Sequence, residues 1–301
     1  MFTSNRTGLP TLTAWQLLGW LGFVILFANL GGCGHLFFLP SKEEVLTPDQ
    51  IGLTYEDITL STPDGHSLHG WLVHAQGELR GSVYFLHGNA ENISTHIASV
   101  MWLPAYGYQV FLLDYRGYGR STGSPGIAEA LEDIEIGYRW LLARPESREK
   151  PVFLLGQSLG AALTVVFSAQ VPNLHERVEG VILDATFTRY QGIAREKLSK
   201  FWLTWLFQYP LSWVLPGSYD PIDHIAKISP TPLLIIHSKQ DEIIPYHHGK
   251  ELFAAARSPK LFLPTHTRHI GTFNISEHRD DLLHFMGEPH ASAEATEILR
   301  H

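Results

Sequence analysis

The sequence predicts an α/β fold: a mostly parallel central sheet with helices on both faces. Three observations carry this expectation. Six short runs, "GSVYFLHG", "YQVFLLDY", "PVFLLGQ", "EGVILDA", "TPLLIIHS" and the weaker "PKLFLPT", are as compact and apolar as strands buried on both faces must be. Helix-compatible stretches, among them Ile127 to Ala143 and Leu159 to Gln170, lie between most of them, an alternation that calls for right-handed crossovers. Ahead of these runs, "YEDITLST" and "HSLHGWLVHA" flank the turn signal Pro63-Asp64-Gly65 and read as an antiparallel hairpin.

The bulk numbers suit such a fold. A chain of 301 residues with 45% hydrophobic content can bury a full core. Its 30 acidic against 22 basic side chains, with no basic run, argue against a nucleic-acid partner. A single cysteine, Cys33, excludes an intramolecular disulfide and a cysteine-rich zinc site.

The position of that cysteine is informative. Leu17 to Leu30 is an uncharged apolar run of signal-peptide length, and it ends in Leu30-Gly31-Gly32-Cys33. That ending resembles the lipobox of bacterial lipoproteins, which implies lipidation of Cys33, export and, with Gly34 next, outer-membrane sorting from the periplasmic side. The alternative is an uncleaved single-pass anchor, because apolar residues resume at Leu36 to Leu39 and complete a span of about 20. Either reading sets residues 1–33 apart as a leader or anchor and places the folded part beside a membrane. The main domain is expected over 45–286, and 287–301 is a polar tail.

One connection is long. About 45 residues separate "VILDA" from "TPLLIIHS", against a usual link of about 4 to 6. This insert, about 186–228, is expected to form a short helical lid. Its Trp202, Trp205, Phe207, Tyr209 and Trp213 either line an apolar cleft for acyl chains, face the membrane, or pack the insert onto the sheet.

The pattern G-x-S-x-G, which can mark an activated serine, occurs twice, at Ser121 and Ser158. A nucleophile turn needs a strand running into it and a helix leaving it, so that the hydroxyl stands above the sheet and free helix N–H groups meet the developing oxyanion. Ser158 satisfies this between "PVFLL" and "LGAALTVVFSAQ". Ser121 does not: its strand ends six or seven residues earlier, and Gly123-Ser124-Pro125 follows. Ser121 and Thr122 read as turn or capping residues before a helix starting near Pro125.

A serine needs a base, and the base needs a carboxylate to orient it. Asp241 follows the strand "PLLIIHS", at the strand end where active sites of parallel sheets gather. His269 follows the last apolar run and is the expected base. His266 is too close to that run, His278 and His284 fall on a helix as surface residues, and His247-His248 lacks spacing to a third metal ligand. Asp184, ending "VILD", is the rival acid. The oxyanion donors are expected to be the backbone amides of Leu159, after the nucleophile, and of Asn89, in "HGNAEN" after the strand "VYFLHG".

Together, "FLHGNAEN", "LLDYRGYGRSTGSP", "GQSLGAAL", "VILDATFT", "IIHSKQDEIIP" and "RHIGTF" resemble the α/β-hydrolase superfamily over about Leu53 to Phe285. They are most similar to its compact membrane-associated branch, which includes serine-aminopeptidase-like hydrolases and depalmitoylating thioesterases. The resemblance implies cofactor-free hydrolysis of esters, thioesters or other acyl bonds, and it places "DYRGYGRSTG" outside the triad. The unusually aromatic insert is a departure from the family pattern. The expected function is a serine hydrolase of acyl esters or thioesters, with a small or lipid-like acyl substrate, no metal and no cofactor. The alternatives are a serine peptidase and a non-catalytic, lipid-anchored scaffold.

Overall fold

The computed structural model describes residues 38–199, 217–287 and 296–297. The expectations about Cys33, Leu17 to Leu30 and Trp202 to Trp213 lie outside the described residues. Of Leu36 to Leu39, expected to complete a span, Phe38 is buried in the core and Leu39 pairs in a strand, so these two do not extend it.

After a two-residue strand β1 (Leu39–Pro40), the expected hairpin forms from β2 (Tyr55–Ser61) and β3 (Ser67–Val73), paired antiparallel from Tyr55↔Val73 to Ser61↔Ser67. The six apolar runs become β4 (Gly81–Leu86), β6 (Tyr108–Leu113), β7 (Val152–Gln157), β8 (Gly180–Asp184), β9 (Leu233–Ser238) and β10 (Lys260–Thr265). A short β5 (Ala90–Glu91) pairs with β1 in a separate two-stranded parallel ribbon. With β11 (Thr296–Glu297), the main sheet of the described residues runs β11-β10-β9-β8-β7-β4-β6-β3-β2. Only β3 pairs antiparallel with its neighbours; the rest is parallel, as the unbroken apolar runs require.

Successive side chains of each strand enter opposite cores. Tyr84 and Leu86 of β4 pack with helix α1 (Ile127–Ala143) and helix α2 (Leu159–Gln170), while Val83 and Phe85 meet Ile93, Ile97, Phe273 and Leu282 on the other face. Fully burying side chains of this size stabilises the fold by about 1.5 to 3 kcal/mol each. Both helices span the predicted residues. Helix α1 has Gly126 as its N-cap, so Ser121 and Thr122 do not cap it.

The insert contributes α3 (Tyr190–Ser199), then short turns at Pro221–His224 and Ile225–Lys227. Beyond it lie α4 (His247–Ala255) and α5 (Ser276–Gly287). No helix of the described residues is long and apolar enough to cross a membrane.

The register brings the C-terminal ends of the parallel strands to one edge: Leu86 pairs with Gly156, and Gln157 with Asp184. The loops after β4, β7, β8, β9 and β10 therefore open on the same side of the sheet, and every predicted catalytic and oxyanion residue lies in or beside one of them.

Candidate active site

Ser158 sits between β7 and α2 with φ +55° and ψ −117°, a backbone that a non-glycine residue adopts only where its surroundings hold it. Here its N–H donates to the carbonyl of Asp184 at 2.9 Å, and its own carbonyl accepts from Ala162 N–H at 3.2 Å, starting the helix. The turn is tight against its neighbours. A Cβ on Gly160 would stand 2.1 Å from the carbonyl oxygen of Leu86, and one on Gly156 would stand 2.3 Å from Thr164 Oγ1. Both glycines of the motif are thus demanded by close approach.

His269 reaches this serine from the loop after β10. Its Nε2 lies 3.1 Å from Ser158 Oγ and its Nδ1 lies 2.8 Å from Asp241 Oδ2. With Nδ1–H donating to the carboxylate, Nε2 is left to accept the serine proton. The other Asp241 oxygen accepts from the N–H groups of Ile243 and Ile244, each at 2.8 Å. Burial pushes the Asp241 carboxyl up, but the hydrogen bond and charge of His269, with those two amides, outweigh it and hold the group below its usual range. His237, which no sequence motif singles out, supports this loop from beneath. It is buried at the end of β9, and its Nε2–H donates to the carbonyl of Ile244 at 2.9 Å. Its ring fits only because α4 carries a glycine there: a Cβ on Gly249 would stand 2.6 Å from His237 Nδ1.

The rival acid is placed differently. Asp184 accepts from Gln157 Nε2 at 2.8 Å and Thr272 Oγ1 at 2.9 Å, while His269 spends its Nδ1 on Asp241. Burial raises the Asp184 carboxyl to about 6, against the opposing pull of its two donors. Ser121 is buried and holds structure: its Oγ–H donates to the carbonyl of Asp114 at 2.7 Å, and its Oγ accepts from His69 N–H at 2.8 Å. His278, expected on the surface, is 9% exposed, because it shares its face of α5 with Leu282 and Phe285, both buried.

The loop after β4 meets the serine at Gly88, where a Cβ would lie 3.7 Å from Ser158 Cβ. His87 Nδ1–H donates to the Gly88 carbonyl at 2.8 Å. The peptide from Gly88 to Asn89 is trans, so with its carbonyl held by His87 the Asn89 N–H points the opposite way. Burial keeps the His87 imidazole well below its usual range, hence neutral and able to hold one tautomer. The Asn89 carbonyl is held twice, by Tyr118 O–H at 2.6 Å and Leu39 N–H at 2.8 Å. Leu159 N–H is the first of α2, where no preceding turn can accept it. Asn89 and Leu159 both line the same cavity as Ser158 and His269.

That cavity measures about 670 Å³. Phe187, Ile193, Ala194, Leu198, Ile243 and Ile244 make it largely apolar, with Glu91 and Lys197 among its lining. Phe187 and the three side chains of α3 come from the insert, so the described part of the insert does form one wall. The pair His247-His248, which lacks sequence spacing to a third ligand, has a carboxylate beside it in space: Glu196 of α3 brings Oε1 to 3.4 Å from His247 Nε2 and 3.3 Å from His248 Nε2. These are the three side chains among the described residues whose ligand atoms cluster closely enough to share a cation. Sequence spacing missed the set because Glu196 is distant in the chain and near only in the fold.

The family model described as serine aminopeptidase, S33, matches residues 77–225. The uncharacterized protein YfhR of Escherichia coli strain K12 is 32% identical over 245 residues, 79% of this chain and 81% of that one. The α/β hydrolase domain-containing protein WAV2 of Arabidopsis thaliana is 33% identical over 231 residues, 73% of each chain. Among solved structures, the Pyrococcus furiosus esterase Pf2001 superposes with a TM-score of 0.68 at 19% identity, covering 85% of this chain and 98% of that one. Sheet order, loop placement and these likenesses agree, and the chain belongs to the α/β-hydrolase superfamily.

Proposed function

We propose that this chain is a serine hydrolase that cleaves acyl esters or thioesters through an acyl-enzyme. Ser158 Oγ attacks the carbonyl carbon as His269 Nε2 takes its proton, and Asp241 stabilises the imidazolium that forms. The N–H groups of Asn89 and Leu159 receive the oxyanion. When the tetrahedral intermediate collapses, the bond to the leaving oxygen or sulfur breaks and His269 returns the proton to it. Water then repeats the sequence on the acyl-serine. The observation that carries this reading is the bridge from Asp241 through His269 to Ser158 at the wall of an apolar cavity.

Turnover of p-nitrophenyl esters and labelling by a fluorophosphonate test it. Ser158→Ala is expected to abolish both, and Ser121→Ala to keep both while losing about 1 to 2 kcal/mol of stability from its two buried hydrogen bonds. The reverse pattern refutes the assignment, and a wild type inert to the probe favours the scaffold reading.

A peptidase acting at a free N-terminus is the second reading, and it needs an anionic group beside the cleft. Of the carboxylates in the described part of the insert, Asp220 is occupied by Arg189 and the N–H of Tyr190, Asp223 by Arg189, and Glu196 faces His247 and His248. Glu91 in the cavity lining is the observation that favours it. Hydrolysis of aminoacyl p-nitroanilides faster than of matched esters would move the assignment to peptidase.

We also infer membrane attachment through the apolar sequence that precedes Phe38, by a lipid on Cys33 or by an uncleaved span; Phe38 and Leu39 themselves belong to the folded domain. Metabolic palmitate labelling lost in Cys33→Ala selects the lipoprotein. Full-length, unlabelled protein that resists carbonate extraction selects the span.

A further inference from the structure

The short ribbon of β1 and β5 joins two parts of the chain that have no sequence motif in common. Leu39 pairs with Ala90 and Pro40 with Glu91, so the segment just after the apolar N-terminal stretch lies against the loop that carries the expected oxyanion donor. The attachment is dense. Leu39 N–H donates to the Asn89 carbonyl at 2.8 Å, and Ser41 N–H to that of Glu91 at 3.1 Å. Asn92 Nδ2 donates back to the carbonyls of Ser41 at 3.1 Å and Glu43 at 2.6 Å. The Phe38 side chain is 3% exposed and meets the Tyr118 ring edge-on at 6.2 Å, and Tyr118 is the second donor to the Asn89 carbonyl.

This placement matters because of how a peptide loop fails. An oxyanion donor is lost when its peptide plane rotates, and rotation about the bonds flanking Asn89 is cheap unless both adjoining carbonyls are held. His87 holds the carbonyl on one side, and Tyr118 and Leu39 hold the one on the other. Glu91, two residues on, has φ +66°, a strained backbone kept in place by the ribbon it belongs to.

We propose that the strap Phe38–Pro40 positions the oxyanion loop from outside the catalytic apparatus, with the Leu39 backbone N–H and the Tyr118 hydroxyl fixing the Asn89 peptide, so that turnover depends on a segment at the start of the domain. This rests on the reading of Ser158 as the nucleophile and Asn89 N–H as an oxyanion donor. The Leu39 side chain is 61% exposed, so its role lies in its backbone, and proline at 39 removes the N–H donor with little change in packing.

The test uses the full chain. Leu39→Pro and Tyr118→Phe are each expected to lower kcat on a p-nitrophenyl ester about 10-fold. The double variant approaches the 10²- to 10³-fold loss associated with removing one oxyanion donor. KM is expected to change less than about threefold. Affinity for an alkyl boronic acid, whose tetrahedral adduct uses the same donors, is expected to fall in parallel with kcat. Leu39→Ala, which restores the N–H, recovers wild-type kcat. If the boronate affinity and kcat of both single variants stay within about twofold of wild type, or if KM alone rises, the strap is only structural and the proposal fails. A wild type that neither turns over esters nor labels at Ser158 overturns the parent reading and the strap's role with it. Tyr118→Phe keeps the test open if the proline variant does not fold.

Discussion

At the scale of single residues, two buried aspartates near the same histidine are set apart by what surrounds them. Asp241 is paired with an imidazole and two amides, and its carboxyl is held down. Asp184 accepts from a side-chain amide and a hydroxyl, both neutral, and its carboxyl is raised to about 6. Asp241→Asn is therefore expected to lower kcat by about 10⁴ by favouring the wrong His269 tautomer, and Asp184→Asn to leave it within a few-fold. Their effects on stability also have opposite signs. A raised carboxyl binds its proton more tightly in the folded state, so Asp184 adds stability below its unfolded value of 3.8 and loses it as pH rises through about 6. The shift corresponds to roughly 3 kcal/mol. Denaturant melts at about pH 4 and pH 7 should show wild type losing up to that amount, relative to Asp184→Asn, on going to the higher pH.

At the scale of elements, the turn at Ser158 shows what a sequence can and cannot disclose. The strand "PVFLL", the serine and helix α2 were legible because one short stretch carries them all, and the six apolar runs were legible because burial on both faces leaves an unbroken pattern. Asp241 and His269 were legible by their order and by their positions past strand ends. What was not legible depends on contacts between distant segments. Nothing near Leu39 signals that its N–H meets Asn89, nothing near Glu196 signals two histidines, and nothing marks His278 as buried. Gly160 is the element-scale test. Gly160→Ala drives a methyl group into the carbonyls of Leu86 and His87, 2.1 and 2.4 Å away, and so pushes the Ser158 turn off β4. The expected loss is about 3 kcal/mol or more, read as a fall in Tm and in soluble yield, with fluorophosphonate labelling lost in what still folds.

At the scale of the whole molecule, the cavity is a composite of the sheet edge and the insert. Its apolar wall predicts a chain-length preference: kcat/KM on p-nitrophenyl esters should rise about fourfold per added methylene, from about 0.8 kcal/mol each, until the cavity is filled. Ile193→Trp, which takes up space from the α3 side, should bring the plateau to shorter chains. A flat profile from acetate upward would count against the cavity as the acyl site. The contact from Glu196 to His247 and His248 adds a constraint of another kind. His248 is 2% exposed, and its Nε2 faces a carboxylate that belongs to the insert. An insert without a carboxylate at the position of Glu196 would leave that imidazole buried without its counterpart, at about 1 to 3 kcal/mol. In recombination terms, residues 186–199 and the start of α4 form one cassette of this chain, and a specificity transplanted from it has to carry both pieces together.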